Sequence, residues 1–233
     1  MSQSIRPLGT VVVTGGASGL GAATVAAVRA AGGTPLVIDR NEPEAGIAWE
    51  RADLADSAAA EQATRALIER AGGRIDGVFT AAGTDACGPL EKVDTAAWEQ
   101  VVRVNLLGTA AVIRAALPAL RASHGTVVTC ASTLGVRALP DATAYCASKF
   151  GVVGFTRALA AETAGEVDVT LLIPGGMDTH FFDGRPEQYA PGPDVRLENP
   201  ENVAEAVVFA LTRPAGSPVR EMLVCAATES SWP

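Results

Sequence analysis

The strongest constraint on this chain is a repeated exchange between two hydrophobic periods. Short apolar, β-branched runs alternate with longer segments whose apolar residues recur every three to four positions. Leu8–Thr14, Thr34–Ile38 (closed by Asp39), Ala48–Ala52, Ile75–Ala81, Thr126–Ala131, Val167–Ile173 (cut by Pro174) and Glu221–Ala226 read as strands. Helical spacing covers Gly19–Ala31, Thr95–Leu120 (bending or ending near Pro118), Thr143–Thr163 and Pro200–Leu211, and Ser57 is placed to cap a helix running to Ala71. The pairs Gly32-Gly33 and Gly72-Gly73 stop the first two helices. Strand and helix alternate with short connections, which predicts an α/β fold: a doubly wound parallel sheet of about seven strands with helices on both faces. The only long irregular stretch, 175–199, is rich in Gly, Pro and charge and is expected to act as a substrate loop. With no repeat or linker, residues 1–233 are expected to form one domain.

Composition narrows the function classes. The chain has 233 residues and a net charge of −8, and no lysine or arginine run offsets that balance, so a nucleic-acid role is disfavoured. Hydrophobic residues make up 48% and charged residues 19%, a globular balance. No apolar stretch suggests a membrane span and MSQSIRPLG lacks a signal-peptide core, so a cytoplasmic protein is expected. Cys87, Cys130, Cys146 and Cys225 are scattered, which implies reduced thiols and no metal site. Two helices carry more apolar residues than one face needs. Trp98, Val101, Val102, Val104, Leu106 and Leu107 do so in one; Val152, Val153, Phe155 and Leu159 do so in the other. Burial within the chain and a subunit interface explain this equally well.

The segment Thr14-Gly15-Gly16-Ala17-Ser18-Gly19-Leu20-Gly21 leaves the first strand and opens the first helix. A dinucleotide pyrophosphate needs such a turn: glycines let the backbone approach, and the helix N-terminus offers N–H groups to an anion. Asp39 ends the second strand about twenty residues further on, where a carboxylate can bind ribose hydroxyls and repel a 2′-phosphate. NAD(H) is therefore favoured over NADP(H), with the adjacent Arg40 softening that preference. The competing reading of Asp39 is a turn residue after a strand.

Tyr145 and Lys149 lie four residues apart in an expected helix, so they share a face. A nearby ammonium stabilises a phenolate and is expected to pull the phenol's pKa down from about 10. In this setting the chain resembles the short-chain dehydrogenase/reductase family, a Rossmann-fold family, over most of its length. The resemblance is carried by the glycine turn, Asp53-Leu54, Val104-Asn105-Leu106, Ser132 thirteen residues before Tyr145, Ala144-Tyr145-Cys146-Ala147-Ser148-Lys149 and Pro174-Gly175-Gly176-Met177-Asp178-Thr179. Two departures stand out. Thr80-Ala81-Ala82-Gly83 replaces an Asn-Asn-Ala-Gly run, removing side-chain hydrogen bonds that brace the sheet, and Val224–Thr228 lacks a glycine pair.

The resemblance implies a role for each matching residue. Tyr145 would move the substrate proton, Lys149 would tune it and hold the nicotinamide ribose, Ser132 would orient the substrate oxygen, and Asn105 would hold a water relay. Gly15, Ser18, Gly19, Leu20, Gly21, Asp39, Arg40, Asp53, Leu54, Ala82, Gly83, Pro174, Gly175 and Thr179 would line the cofactor. The expected activity is hydride transfer between NAD(H) and a small secondary alcohol or ketone, by a homodimer or homotetramer. A non-catalytic dinucleotide sensor or scaffold, and a dehydratase or epimerase, are the alternatives. Substrate selectivity is expected to lie in Gly83–Leu90, Thr133–Leu139 and 175–199, with His180 in a solvated loop.

Overall fold

The computed structural model describes residues 6–232, so most of the MSQSIRPLG segment lies outside the described residues. Seven strands form one parallel sheet: β1 (Thr10–Thr14), β2 (Thr34–Asp39), β3 (Ala48–Arg51), β4 (Gly77–Thr80), β5 (Thr126–Cys130), β6 (Asp168–Pro174) and β7 (Glu221–Val224). Their order is β3-β2-β1-β4-β5-β6-β7, so the winding reverses between β1 and β4. A crevice opens at that reversal, outside the carboxyl ends of the strands. The strands read as continuous apolar runs because both faces are covered. Val11, Val13, Val37 and Phe79 enter one core, whereas Val12, Ile38, Val78 and Val127 enter the other.

Helices α1 (Gly19–Ala30) and α6 (Pro200–Leu211) pack together on the first face; α2 (Ser57–Arg70), α4 (Thr109–Ser123) and α5 (Thr143–Glu162) cover the second. Asp56, not Ser57, caps α2, its carboxylate accepting from Ala58 N at 2.9 Å and Ala59 N at 3.1 Å. Between α3 (Thr95–Val102) and α4 the chain makes a π-helical turn, Arg103–Gly108. The resulting helix runs on to Ser123, because Pro118 stands on its exposed side, where water can serve the carbonyl left without a partner. By length and composition alone the helix Thr95–Ser123 could cross a membrane, contrary to the sequence reading; here Val112, Ile113, Ala116 and Leu120 are fully buried in the core. Pro174 closes β6 without cutting it. β5 ends opposite Leu172, so Pro174 owes that neighbour no hydrogen bond.

Most of the helical apolar excess is spent inside the chain. Val101, Val152, Val153 and Leu159 are buried, and a Cβ on Gly151 would stand 2.7 Å from Leu106 Cδ2, so these helices pack closely. Leu107 and Phe150 remain exposed. Gly108 makes a second close approach: a Cβ there would lie 2.6 Å from the carbonyl oxygen of Leu54.

Candidate active site

A cleft of about 990 Å³ follows the carboxyl ends of the strands. One end is built from the β1–α1 turn. Gly15 and Gly19 hold left-handed φ angles of 71° and 49°. A Cβ on Gly21 would sit 2.0 Å from the Gly15 carbonyl oxygen, so only glycine lets the turn close. Ser18 precedes α1 but makes no side-chain cap, and the first helical turn carries no acidic residue. The N–H groups there are left for an anion. Asp39 sits at the end of β2, with Oδ2 accepting from Ala17 N at 3.0 Å and Oδ1 from Asn41 N at 2.9 Å. It thus braces the glycine turn, a structural task that the sequence reading did not foresee. Each oxygen keeps a second lone pair for another donor. Arg40, Asp53 and Leu54 also line this end.

After β4 the Thr80–Gly83 run brings no asparagine side chain to brace the sheet, and a different contact is made there: Ala82 N donates to Thr14 Oγ1 at 3.2 Å. Thr80 Oγ1 is buried and has no partner. Ala82 and Gly83 both face the cleft, and a Cβ on Gly83 would come within 3.5 Å of Asn105 Oδ1 and 3.7 Å of Lys149 Nζ.

Near the middle of the cleft the four candidate catalytic groups lie close together. Asn105 lies in the π-helical turn and is buried; such turns recur at functional sites. Its Oδ1 accepts from Thr84 N at 2.8 Å, while Nδ2 donates to Thr84 O at 2.9 Å and Ser148 Oγ at 3.0 Å. Lys149 is buried and donates from Nζ to the Cys130 carbonyl at 2.8 Å, and it stands 5.6 Å from the Tyr145 ring centre. Ser132 begins the turn after β5 and lines the cleft with Tyr145; its hydroxyl accepts from Leu134 N at 3.1 Å.

Burial dominates the electrostatics here. It pushes the Tyr145 phenol well above its ordinary value, more than the nearby Ser132 hydroxyl pulls it down. It also lowers Lys149. The expectation that Lys149 depresses the phenol is therefore not met in the protein by itself, because the ammonium is spent on a carbonyl and desolvation outweighs it.

The other end is made by segments far apart in sequence. Pro174, Gly175 and Thr179 line the cleft, Thr179 against Gly19. Beyond them the 175–199 segment folds into two short 3₁₀ turns, His180–Phe182 and Glu187–Tyr189. His180 is exposed and paired with Asp183 at 2.8 Å, as a solvated loop residue would be. Arg185 reaches Asp85 at 2.8 Å, and Tyr189 donates to Asp141 at 3.0 Å. Sequence reasoning missed the last wall. Glu229 accepts from Gly176 N at 2.8 Å, Ser231 Oγ meets Thr133 Oγ1 at 2.6 Å, and Arg137 donates to Ser230 O at 3.1 Å. The chain near 229–231 stands where the missing glycine pair left the wall undefined, and only an acidic residue in an otherwise small, polar tail hinted at it.

This arrangement defines a class. A match to the short chain dehydrogenase family model spans residues 9–190. The chain belongs to the short chain dehydrogenase family, and it is an oxidoreductase of that family. It is 32% identical over 229 residues to the 2-(S)-hydroxypropyl-CoM dehydrogenase 3 of Xanthobacter autotrophicus, covering 87% of this chain and 89% of that one. It is 33% identical to the cis-4-hydroxycyclohexanecarboxylate dehydrogenase of Sinomonas cyclohexanicum, covering 85% and 87%. Its fold matches an actinorhodin polyketide ketoreductase solved with NADPH at a TM-score of 0.84, with 26% identity over 98% of this chain and all of the other.

Proposed function

We propose that this protein interconverts a secondary alcohol and its ketone using a nicotinamide dinucleotide, with NAD(H) preferred. The observation that carries the reading is the placing of Ser132, Tyr145 and Lys149 in one cleft beside the glycine turn, with Asn105 buried behind them. The free α1 N-terminus and the glycines that no Cβ can replace fit a pyrophosphate. When bound, the nicotinamide supplies or accepts the hydride.

The protein's own residues position and protonate. Ser132 holds the substrate oxygen against the Tyr145 hydroxyl. Tyr145 donates its proton to that oxygen during reduction and takes it back during oxidation. Because burial raises its pKa, Tyr145 is protonated at neutral pH and is poised as an acid. Oxidation requires the phenolate, so its rate rises with pH well into the alkaline range, while reduction stays flat across neutrality. Lys149 lies behind the phenol and holds the nicotinamide-side ribose. Asn105 fixes the chain at Thr84 and Ser148, which keeps the relay behind the lysine in register. Asp39 accepts from the adenosine ribose hydroxyls, and its charge opposes a 2′-phosphate; Arg40 moderates that opposition.

Tyr145→Phe is expected to keep cofactor binding and lower turnover by roughly 10²–10⁴-fold, read as absorbance at 340 nm with a panel of secondary alcohols and ketones. A variant with near-normal turnover would sink this mechanism. Bound cofactor with no net change in NADH would instead support the sensor or dehydratase readings. We further propose a homodimer or homotetramer in the cytoplasm, joined where Leu107 and Phe150 lie exposed on neighbouring helices. A monomeric mass by light scattering would exclude that assembly.

A further inference from the structure

The substrate end of the cleft contains a charge pair that proton transfer does not use. Asp85 follows β4, and Arg185 lies between the two 3₁₀ turns, a hundred residues further on. Arg185 Nη2 stands 2.8 Å from Asp85 Oδ2, with the two side chains only 16% and 9% exposed. The carboxylate has two further partners: Oδ2 also accepts from Cys87 Sγ at 3.1 Å, and Oδ1 accepts from Ala86 N at 2.7 Å. The guanidinium is held by aromatic rings, 4.9 Å from the centre of Phe181 and 4.6 Å from that of Phe182. Phe181 in turn lies 5.7 Å from the ring of Tyr145. The pair is therefore one aromatic ring away from the proton-transferring group.

Two charges taken out of water are costly to the fold unless they neutralise each other. Here they do so. A substrate carboxylate entering this end would have to compete with Asp85 for the guanidinium. It would also meet Asp141, Asp183 and Glu229, which line the cleft, and Lys149 there is already bound to a carbonyl. Like charges brought together in a partly desolvated cleft repel more strongly than in water. An uncharged substrate leaves the pair intact and lays its apolar body against Phe181 and Leu139.

We propose that the Asp85–Arg185 pair is a specificity determinant that reserves the cleft for uncharged substrates and turns anionic ones away. The proposal rests on the reading of this cleft as the substrate site. It predicts that neutralising Asp85 alone frees the guanidinium and opens the same cleft to carboxylates.

Benzamide and benzoate serve as matched neutral and anionic probes, with binding to the NADH-saturated protein measured by calorimetry. The wild type is expected to bind benzamide at least tenfold more tightly than benzoate. Asp85→Asn should narrow that ratio by tenfold or more, and Arg185→Met should widen it. The double variant, which replaces both charges, should show a ratio between those of the two single variants and guards against misfolding of either. Equal or tighter binding of benzoate by the wild type overturns the proposal, as does absence of benzamide binding or an unchanged ratio in folded Asp85→Asn. The ratio is read at binding, so it stands or falls separately from the turnover lost in Tyr145→Phe.

Discussion

At its β1–α1 end the cleft is made of backbone; at its Arg185 end it is made of side chains. The first end is fixed by left-handed φ angles, by a glycine with no room for a Cβ, and by helix N–H groups, all within Thr14–Gly21. The second is assembled by pairs that span 48, 53, 93 and 100 residues: Tyr189–Asp141, Gly176–Glu229, Arg137–Ser230 and Arg185–Asp85. A backbone site tolerates almost no substitution and admits one ligand shape. A side-chain site can be re-specified by exchanging a charge while the sheet beneath it stays as it is.

If that contrast holds, the largest effect comes from Gly21→Val. Its Cβ would strike the Gly15 carbonyl, costing about 3 kcal/mol or more. Collapse of NADH affinity in a fluorescence titration, with a lowered urea midpoint, is the expected result; normal affinity would break the comparison at its firmest point. Asp39→Ala comes next. It removes an acceptor from Ala17 and Asn41 as well as from the ribose, so NADH binding should weaken by roughly tenfold while NADPH binding weakens less or improves. Equal losses for both cofactors would reduce Asp39 to a brace.

On the side-chain end the effects are smaller and should show a pH signature. Burial pushes Glu229 up, but hydrogen bonds from Ser231 and Gly176 together outweigh it and hold the carboxyl below its ordinary value of 4.5. A depressed carboxylate stabilises the fold above its unfolded pKa, and that contribution is lost as pH falls through the folded value. Glu229→Ala should therefore lower the melting temperature by roughly 2–4 °C at pH 7, corresponding to about 1 kcal/mol, with the difference fading below pH 4.5. Unchanged cofactor affinity in this variant would sharpen the contrast; loss of affinity as large as that of Gly21→Val would erase it. Arg157 and Glu221, an exposed pair at 2.7 Å remote from both ends, set the floor. Arg157→Ala should cost under about 1 kcal/mol in a denaturation series.

The same contrast explains what could be read from the sequence. Strand and helix placement was legible because a parallel sheet covered on both faces leaves continuous apolar runs, and because turns such as Gly32-Gly33 end helices locally. The glycine turn, Asp39, Asn105, Ser132, Tyr145 and Lys149 fall where their local motifs put them, all facing one cleft or the network behind it. The brace that Thr14 supplies to Ala82 was not legible, since a hydroxyl in a strand carries no sign of the loop it will meet across 68 residues. Nor was the wall at Glu229, nor the pairing of Asp85 with Arg185, for the same reason. The raised pKa of Tyr145 depends on burial, which a four-residue spacing does not encode.

Gly108 gives the cleft a built-in measure. With no side chain there, the end of the π-helical turn rests directly on the Leu54 carbonyl, so the helix that carries Asn105 touches the loop that carries Asp53. Backbone set against backbone neither stretches nor swings as a side-chain contact does. The span from the acidic loop to the asparagine is thus a fixed caliper. A dinucleotide held correctly at its adenosine end would present its other ring at one depth, whichever way the outer loops stand.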